Sequence, residues 1–143
     1  MELEGLRNFG MTLGVRDTRK IVGKYFLNEH DVKNEARFED SIGIFPEFID
    51  GYNIVILPTS GRFFQVPFGC LVPADVDNLV VGGRIVAGDM ISHAAMRNMM
   101  ACCVTGQGAG VAAAVSVHEN QNIHDLNIQK VQEELKRQGV RIA

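Results

Sequence analysis

Apolar and polar residues alternate from Val15 to Ile21, placing Val15, Asp17, Arg19 and Ile21 on one face and Arg16, Thr18 and Lys20 on the other. That pattern predicts an extended segment over 15–22, which Lys24-Tyr25-Phe26-Leu27 continues or pairs with. Two charges then share a face with two apolar residues. Asn28 stands where a helix N-cap would, with Asp31 at the third helical position, and predicts a short helix. From about Asn34 to Asp77 the pattern changes, because all four prolines fall there. Phe45-Pro46, Leu57-Pro58, Val66-Pro67 and Val72-Pro73 each force extended geometry before the proline and remove a backbone donor at it. Edge strands and loops are expected, with Phe63-Phe64-Gln65-Val66 the best strand.

The last zone is the most regular. Asn78-Leu79-Val80-Val81 predicts a short buried central strand ending in Gly82-Gly83. A loop of small and polar residues is expected to about Met96. Arg97 to about His118 lacks proline and is rich in Ala, Met and Val, which predicts a long buried helix. Gly106, Gly108 and Gly110 each lower its propensity by up to about 1 kcal/mol relative to Ala. Such a loss is tolerable where another backbone or a ligand approaches closely. A terminal helix follows within 124–139: Asn127 caps it, Ile128, Val131 and Leu135 line one face, and Gly139 closes it. No internal repeat interrupts this order. The fold class expected is mixed α/β, a single domain or fragment divided at 14–77, 78–118 and 124–139.

Composition narrows the function classes. The 143 residues suit one domain, and 46% hydrophobic with 22% charged content excludes a disordered chain. A net charge of -3 removes the usual electrostatic reason to expect a nucleic-acid partner. No apolar run is expected to approach the roughly 20 residues that cross a bilayer, so no membrane association is expected. Met1-Glu2-Leu3-Glu4-Gly5 lacks the basic start and apolar core of a secretory signal. Three cysteines, two of them adjacent at Cys102-Cys103, do not make a disulfide framework, and a cytoplasmic location is expected.

The unit that carries chemistry is strand, glycine pair, loop and long helix. A helix start leaves backbone N–H groups unpaired and carries about half a positive charge, so it favours an anionic or electron-rich group. Glycines at the preceding strand end let the backbone come close to a bulky ligand. The alternative is that the same glycines serve only tight packing. Gly106-Gln107-Gly108-Ala109-Gly110 is no dinucleotide fingerprint, since it lies inside a helical run and not between a strand and a helix. Gly82-Gly83 follows a strand, but the helix begins too late for a tight phosphate turn.

Three blocks resemble the C-terminal part of FAD-dependent oxidoreductases of the glutathione-reductase type. Gly14-Val15-Arg16-Asp17-Thr18-Arg19-Lys20-Ile21-Val22-Gly23 is similar to the family's Gly-Val-Arg-Glu-Ser-Arg-Arg-Ile-Val-Gly strand. Gln65-Val66-Pro67-Phe68-Gly69-Cys70-Leu71-Val72-Pro73 is similar to its Ile-Pro-Tyr-Arg-Cys-Leu-Leu-Pro segment. Asn78-Leu79-Val80-Val81-Gly82-Gly83-Arg84, continuing through Arg97, Gly106-Gln107 and Gly110, resembles its closing flavin-contacting unit. The likeness runs from Gly14 to Gly139, and the third block is its most specific part.

The resemblance implies FAD, with the Gly83-Arg84 backbone near the ribityl and pyrophosphate side and the start of the Arg97 helix facing the flavin pyrimidine. Arg97, Asn98 and Met99 become cofactor-binding candidates by that route. Asp89 either hydrogen-bonds a ribityl hydroxyl or forms a turn. The family's Tyr-Arg pair is Phe68-Gly69 here, which removes a hydroxyl and a guanidinium from the substrate side, and a histidine common in its loop is Met90. The family's N-terminal βαβ unit, which holds the FAD pyrophosphate, is expected from a missing N-terminal half or a partner chain. Alone, the chain is expected to bind FAD weakly and to be inactive.

Other reactive side chains have plainer readings. Arg16, Arg19 and Lys20 read as surface charges, with Asp17 pairing Arg19, or as contacts to an anionic ligand. Cys102-Cys103 and Cys70 read as packing, since nothing supplies tetrahedral metal spacing. His93 reads as a loop histidine or as an acid–base group near a flavin. His30, His118 and His124 read as helix-end or surface residues, and Met96, Met99 and Met100 as packing against a flat partner. No catalytic residue or metal ligand stands out, which suits a flavoenzyme, because there the redox chemistry belongs to the cofactor. The function expected is the C-terminal portion of an FAD-dependent oxidoreductase moving hydride or electrons between a small organic substrate and flavin. The alternative is a non-catalytic interaction or assembly module that keeps part of the fold.

Overall fold

The proline-rich middle of the chain forms two antiparallel strand pairs: β1 (Ser41–Pro46) with β4 (Phe63–Pro67), and β2 (Ile49–Gly51) with β3 (Ile54–Ile56). The computed structural model describes residues 14–51, 53–59 and 61–143, so the Met1–Gly5 start lies outside the described residues. Ile44 pairs with Gln65 and Phe45 with Phe64, and an irregularity between Ser41 and Ile44 shifts the register. Pro46 and Pro67 sit at strand ends, where a missing donor costs the ladder least. The Phe45 and Phe64 rings meet edge-on at 6.1 Å, inside a core shared with Ile42, Val66 and Leu71.

Among the described residues, four α-helices surround these strands. α1 (Glu29–Lys33) opens on the expected capping box: Asn28 Oδ1 accepts from the His30 and Asp31 N–H groups, and Asp31 Oδ2 accepts from Asn28 N–H at 3.0 Å. α2 spans Met90–Met96, α3 Met99–Glu119 and α4 Ile128–Arg137. Asn127 caps α4, Val131 and Leu135 are its buried residues, and Gly139 follows its C-terminal turn at φ +83°. α3 packs on β1 and α4. A Cβ on Gly108 would lie 2.5 Å from Ile42 Cδ1, so a glycine is required for α3 to approach β1, whereas nothing lies within 4 Å at Gly106 or Gly110.

The mixed helix-and-strand character agrees with the sequence, but several elements differ. Residues 15–22 form no ladder: Ile21 N–H donates to the Ile85 carbonyl at 2.9 Å and the Val22 carbonyl accepts from Ala74 N–H at 2.8 Å, and single bridge pairs follow at Gly23 with Pro73 and Leu27 with Gly88. Asn78–Val81 is neither a strand nor buried. Leu79 is 41% exposed, and Val81 N–H donates to the Leu71 carbonyl, which anchors one end only. A central strand needs neighbours on both edges, and among the described residues no strand pairs with this segment. The expected loop before Met96 contains α2, and Arg97 closes that helix, so the long helix starts at Met99. The terminal helix is shorter than expected, residues 123–125 forming a separate 3-10 turn.

The long helix is also far from buried. Its buried residues are Ala101, Thr105, Gly108, Val111, Ala112 and Ser116, while Met99 is 78% and Val117 81% exposed. By length and composition α3 is apolar enough to cross a membrane, which overturns the expectation that no run approaches that length. About a third (33%) of its apolar window is buried against the rest of the fold.

Candidate functional site

The expected site residues gather where α2 ends and α3 begins, and Arg97 sits at the joint. Its N–H donates to the His93 carbonyl and closes α2, while its guanidinium turns inward, with Nη2 donating to the Asp50 carbonyl at 2.7 Å. A cation so buried needs a polar partner, and the end of β2 supplies it. Gly51 makes room, because a Cβ there would collide with the guanidinium.

Asn98 then sets the character of the α3 start. Its amide Nδ2 donates backwards to the Ala94 and Ala95 carbonyls at 3.1 and 2.9 Å, tying off the C-terminal end of α2. It gives α3 no side-chain cap, although it occupies the N-cap position. The first-turn N–H groups of a 21-residue helix therefore keep their partial positive charge uncompensated by that side chain. Met99 and Met100 stand exposed beside them.

The glycine loop lies along the same helix. A Cβ on Gly82 would come within 3.0 Å of Gly106 Cα and the Thr105 carbonyl, so the backbones are in close contact. Gly83 N–H donates to Thr105 Oγ1 at 2.9 Å, and that buried hydroxyl also contacts the Ala101 and Cys102 carbonyls. Gly83 has φ +82°, a left-handed conformation that L side chains rarely adopt, and nothing lies within 4 Å of its absent side chain. Arg84 Nε donates to the Arg97 carbonyl at 3.3 Å, joining loop and helix joint. Burial raises the Cys102 thiol above its ordinary range, against the opposing charge of Arg84.

An apolar groove of about 550 Å³ opens at the α3 start, with Ile44, Phe45, Pro46, Phe48 and Pro58 on one side and Asn98, Met99, Met100 and Val104 on the other. A larger depression of about 900 Å³ between α3 and α4 is lined by charged residues such as Lys130, Glu133 and Arg137 and touches none of the expected site residues.

Gly83, Arg84, Arg97, Asn98 and Met99 are thus brought together, and Asp89 is not. It lies at the far end of α2, where Oδ1 accepts from Ser92 N–H at 2.7 Å and Oδ2 from Glu29 N–H at 2.9 Å. One carboxylate serves the starts of two helices, which is the turn-forming role. Gly69 is equally specific: a Cβ there would lie 2.9 Å from Tyr25 Cβ, and its N–H donates to Asp40 Oδ2. Tyr25 fills the space a longer side chain would need, and Tyr25 hydroxyl donates to Asp31 at 2.9 Å. Burial, then the Asp31 carboxylate, push its pKa up to about 12.

The remaining expectations sort as follows. His93 is not in a loop but in α2 and wholly buried, with Nε2 3.6 Å from Asp17 Oδ1. Arg16 pairs with Asp50 at 3.2 Å, and Lys20 lies 3.8 Å from Asp17. Cys70 is packed, with burial raising its thiol, but Cys103 is exposed. Met96 is core. His124 bridges Asp77 and the Pro73 carbonyl instead of lying free on the surface. Among the described residues no cluster of three metal-ligating side chains occurs. Sequence reasoning missed Asp50, Gly51 and Thr105, since nothing local marks a residue whose role is to meet another 22 to 47 positions away.

A family model described as FAD dependent oxidoreductase matches residues 1–135. No curated protein and no solved structure matches.

Proposed function

The chain belongs to the FAD-dependent oxidoreductase family, and from that premise we propose that the Gly83–Arg84 loop and the uncapped start of α3 hold the isoalloxazine and ribityl end of the flavin. FAD is the cofactor the family implies, and a small organic molecule its substrate. When bound, FAD supplies the hydride or electron transfer. The residues present fit it on three counts: a glycine with open space above it, helix N–H groups without a side-chain cap, and an apolar groove beside them. The observation that carries the reading is the Asn98 side chain turned back onto α2, which leaves the mouth of α3 open to an electron-rich ring edge. Arg84 would lie along the ribityl side, and Met99 and Met100 would offer polarizable contact to a flat ring. Asp89 is left outside this set, because both its oxygens are committed to helix starts.

The adenosine end needs a second element. Among the described residues no glycine turn joins a strand directly to a helix, which supports our reading that the pyrophosphate cradle comes from residues outside the described ones or from a partner chain. Leu79 and Val117 are apolar and exposed, as surfaces covered by such an element would be.

Titration of the chain with riboflavin and with FAD tests this. The expected result is weak and similar affinity for both, with Kd above about 1 µM, and loss of both on Gly83→Val. Unchanged flavin binding by the variant would remove Gly83 from the site, and sub-micromolar FAD affinity with none for riboflavin would place the adenosine cradle within this chain. A second reading, a module that keeps the fold without turnover, is favoured by one observation: a Cβ on residue 69 would already lie 2.9 Å from Tyr25 Cβ, so the backbone there is packed too closely for the family's arginine. A yellow preparation whose flavin resists reduction by every organic donor tried would select it.

A further inference from the structure

We infer that Met99 and Met100 form an oxidation site at the mouth of α3, where a peroxide converts one wall of the adjoining groove from apolar to polar. The two consecutive methionines that open the helix are 78% and 70% exposed, whereas Met90 at the start of α2 is 51% exposed and Met96 in the core only 1%. Their thioethers are therefore open to a reagent in solution, and that of Met96 is not. Both also line the groove of about 550 Å³, across from Phe45, Pro46 and Phe48. Among the described residues no charged side chain lines it, and the Asn98 amide nitrogen is committed to the Ala94 and Ala95 carbonyls. The polarity of that wall thus rests on the two sulfurs.

The chemistry balances with hydrogen peroxide alone. A sulfur lone pair attacks one peroxide oxygen, the S–O bond forms as the O–O bond breaks, and the other oxygen leaves as water with both protons. Sulfur loses two electrons and the peroxide gains them. The product is a polar sulfoxide whose oxygen accepts hydrogen bonds. Side chains on a helix lean toward its N-terminus, and there the first-turn N–H groups of α3 have no side-chain cap. An acceptor formed on Met99 or Met100 thus arises beside donors of partial positive charge, which favours the oxidised side chains lying back over the helix mouth. Met90 does not line the groove, so its oxidation has no such effect. Cys103, exposed one turn further along α3, is a second peroxide target that a test must remove. The site belongs to the ligand-free chain and stands apart from the flavin reading.

Hydrogen peroxide treatment of the full chain carrying Cys103→Ser is the test, read by peptide mass mapping and by titration with phenylnaphthylamine, a neutral apolar fluorophore. Tryptic cleavage after Arg84, Arg97 and Lys130 puts Met90 and Met96 on one fragment and Met99 and Met100 on another. The expected result is early sulfoxide at Met99 and Met100, with Met96 spared while the chain stays folded. The probe's Kd should rise by about tenfold and return on treatment with methionine sulfoxide reductase. Met90→Leu should leave that rise in place, and Met99→Leu with Met100→Leu should abolish it, each protein being compared with its own untreated form. Reversal by the reductase needs neither methionine replaced, so it stands if the double variant does not fold. Probe affinity that survives full oxidation at 99 and 100, an equal loss in the double variant, Met96 oxidised as fast as Met99, or an untreated chain that binds no probe would overturn the inference.

Discussion

The guanidinium of Arg97 occupies the space that a side chain on Gly51 would fill. The two residues lie 46 positions apart, yet the burial of one depends on the bareness of the other. Because the same guanidinium donates to the Asp50 carbonyl, Gly51→Ala should displace Arg97 and break a charge-assisted hydrogen bond. The expected cost is about 1.5–3 kcal/mol, read as a lower urea midpoint with an unchanged slope. An equally stable variant would show that the guanidinium has another berth of equal quality.

The glycines of α3 should respond to alanine in opposite directions. At Gly108 the added methyl meets Ile42, and strain of about 1–3 kcal/mol is expected. At Gly110 nothing stands within 4 Å, and the gain in helix propensity should stabilise by up to about 1 kcal/mol. Thermal unfolding of the two variants side by side checks both signs. A stabilising Gly110→Ala that also weakened assembly with a second polypeptide would mark that face as an interface.

Tyr25 gives an alkaline signature. Its phenol is raised from 10.0 to about 12 in the folded state, so the folded chain holds that proton more tightly than the unfolded chain does. The associated stability is fully present below pH 10 and is lost as pH rises through about 12. Absorbance of ionised tyrosine should show one of the two tyrosines in the sequence titrating near pH 12, and Tyr25→Phe should abolish that step. A Tyr25 titration at the ordinary value would mean that the hydroxyl is not held by Asp31.

Elements fixed by neighbouring residues were legible in the sequence, and those fixed at a distance were not. Asn28 and Asp31 satisfy each other's backbone within one turn, so α1 could be read directly, as could α4 from Asn127, Val131 and Leu135. Helix α2 was hidden because its seven residues rely on Asp89, whose second oxygen serves α1, and on burial against β2. Val80 and Val81 read as a central strand because apolar runs mark burial without saying by what. In the site, Gly83 was visible as half of a glycine pair. The Asp50 carbonyl could not be, since a backbone acceptor has no signature in residue type. Asn98 was correctly placed at the helix start, but the direction of its amide follows from the nearby end of α2, which was read as loop.

The hydroxyl of Thr105 is enclosed between α3 and the glycine loop, and Gly83 N–H is fastened to it. A single buried oxygen thus fixes how far along the helix axis the loop can sit, much as a peg sets the height of a shelf. The bare tip of that shelf cannot slide toward or away from the helix mouth unless the peg is drawn. Whatever rests there is measured against a distance set within α3 itself.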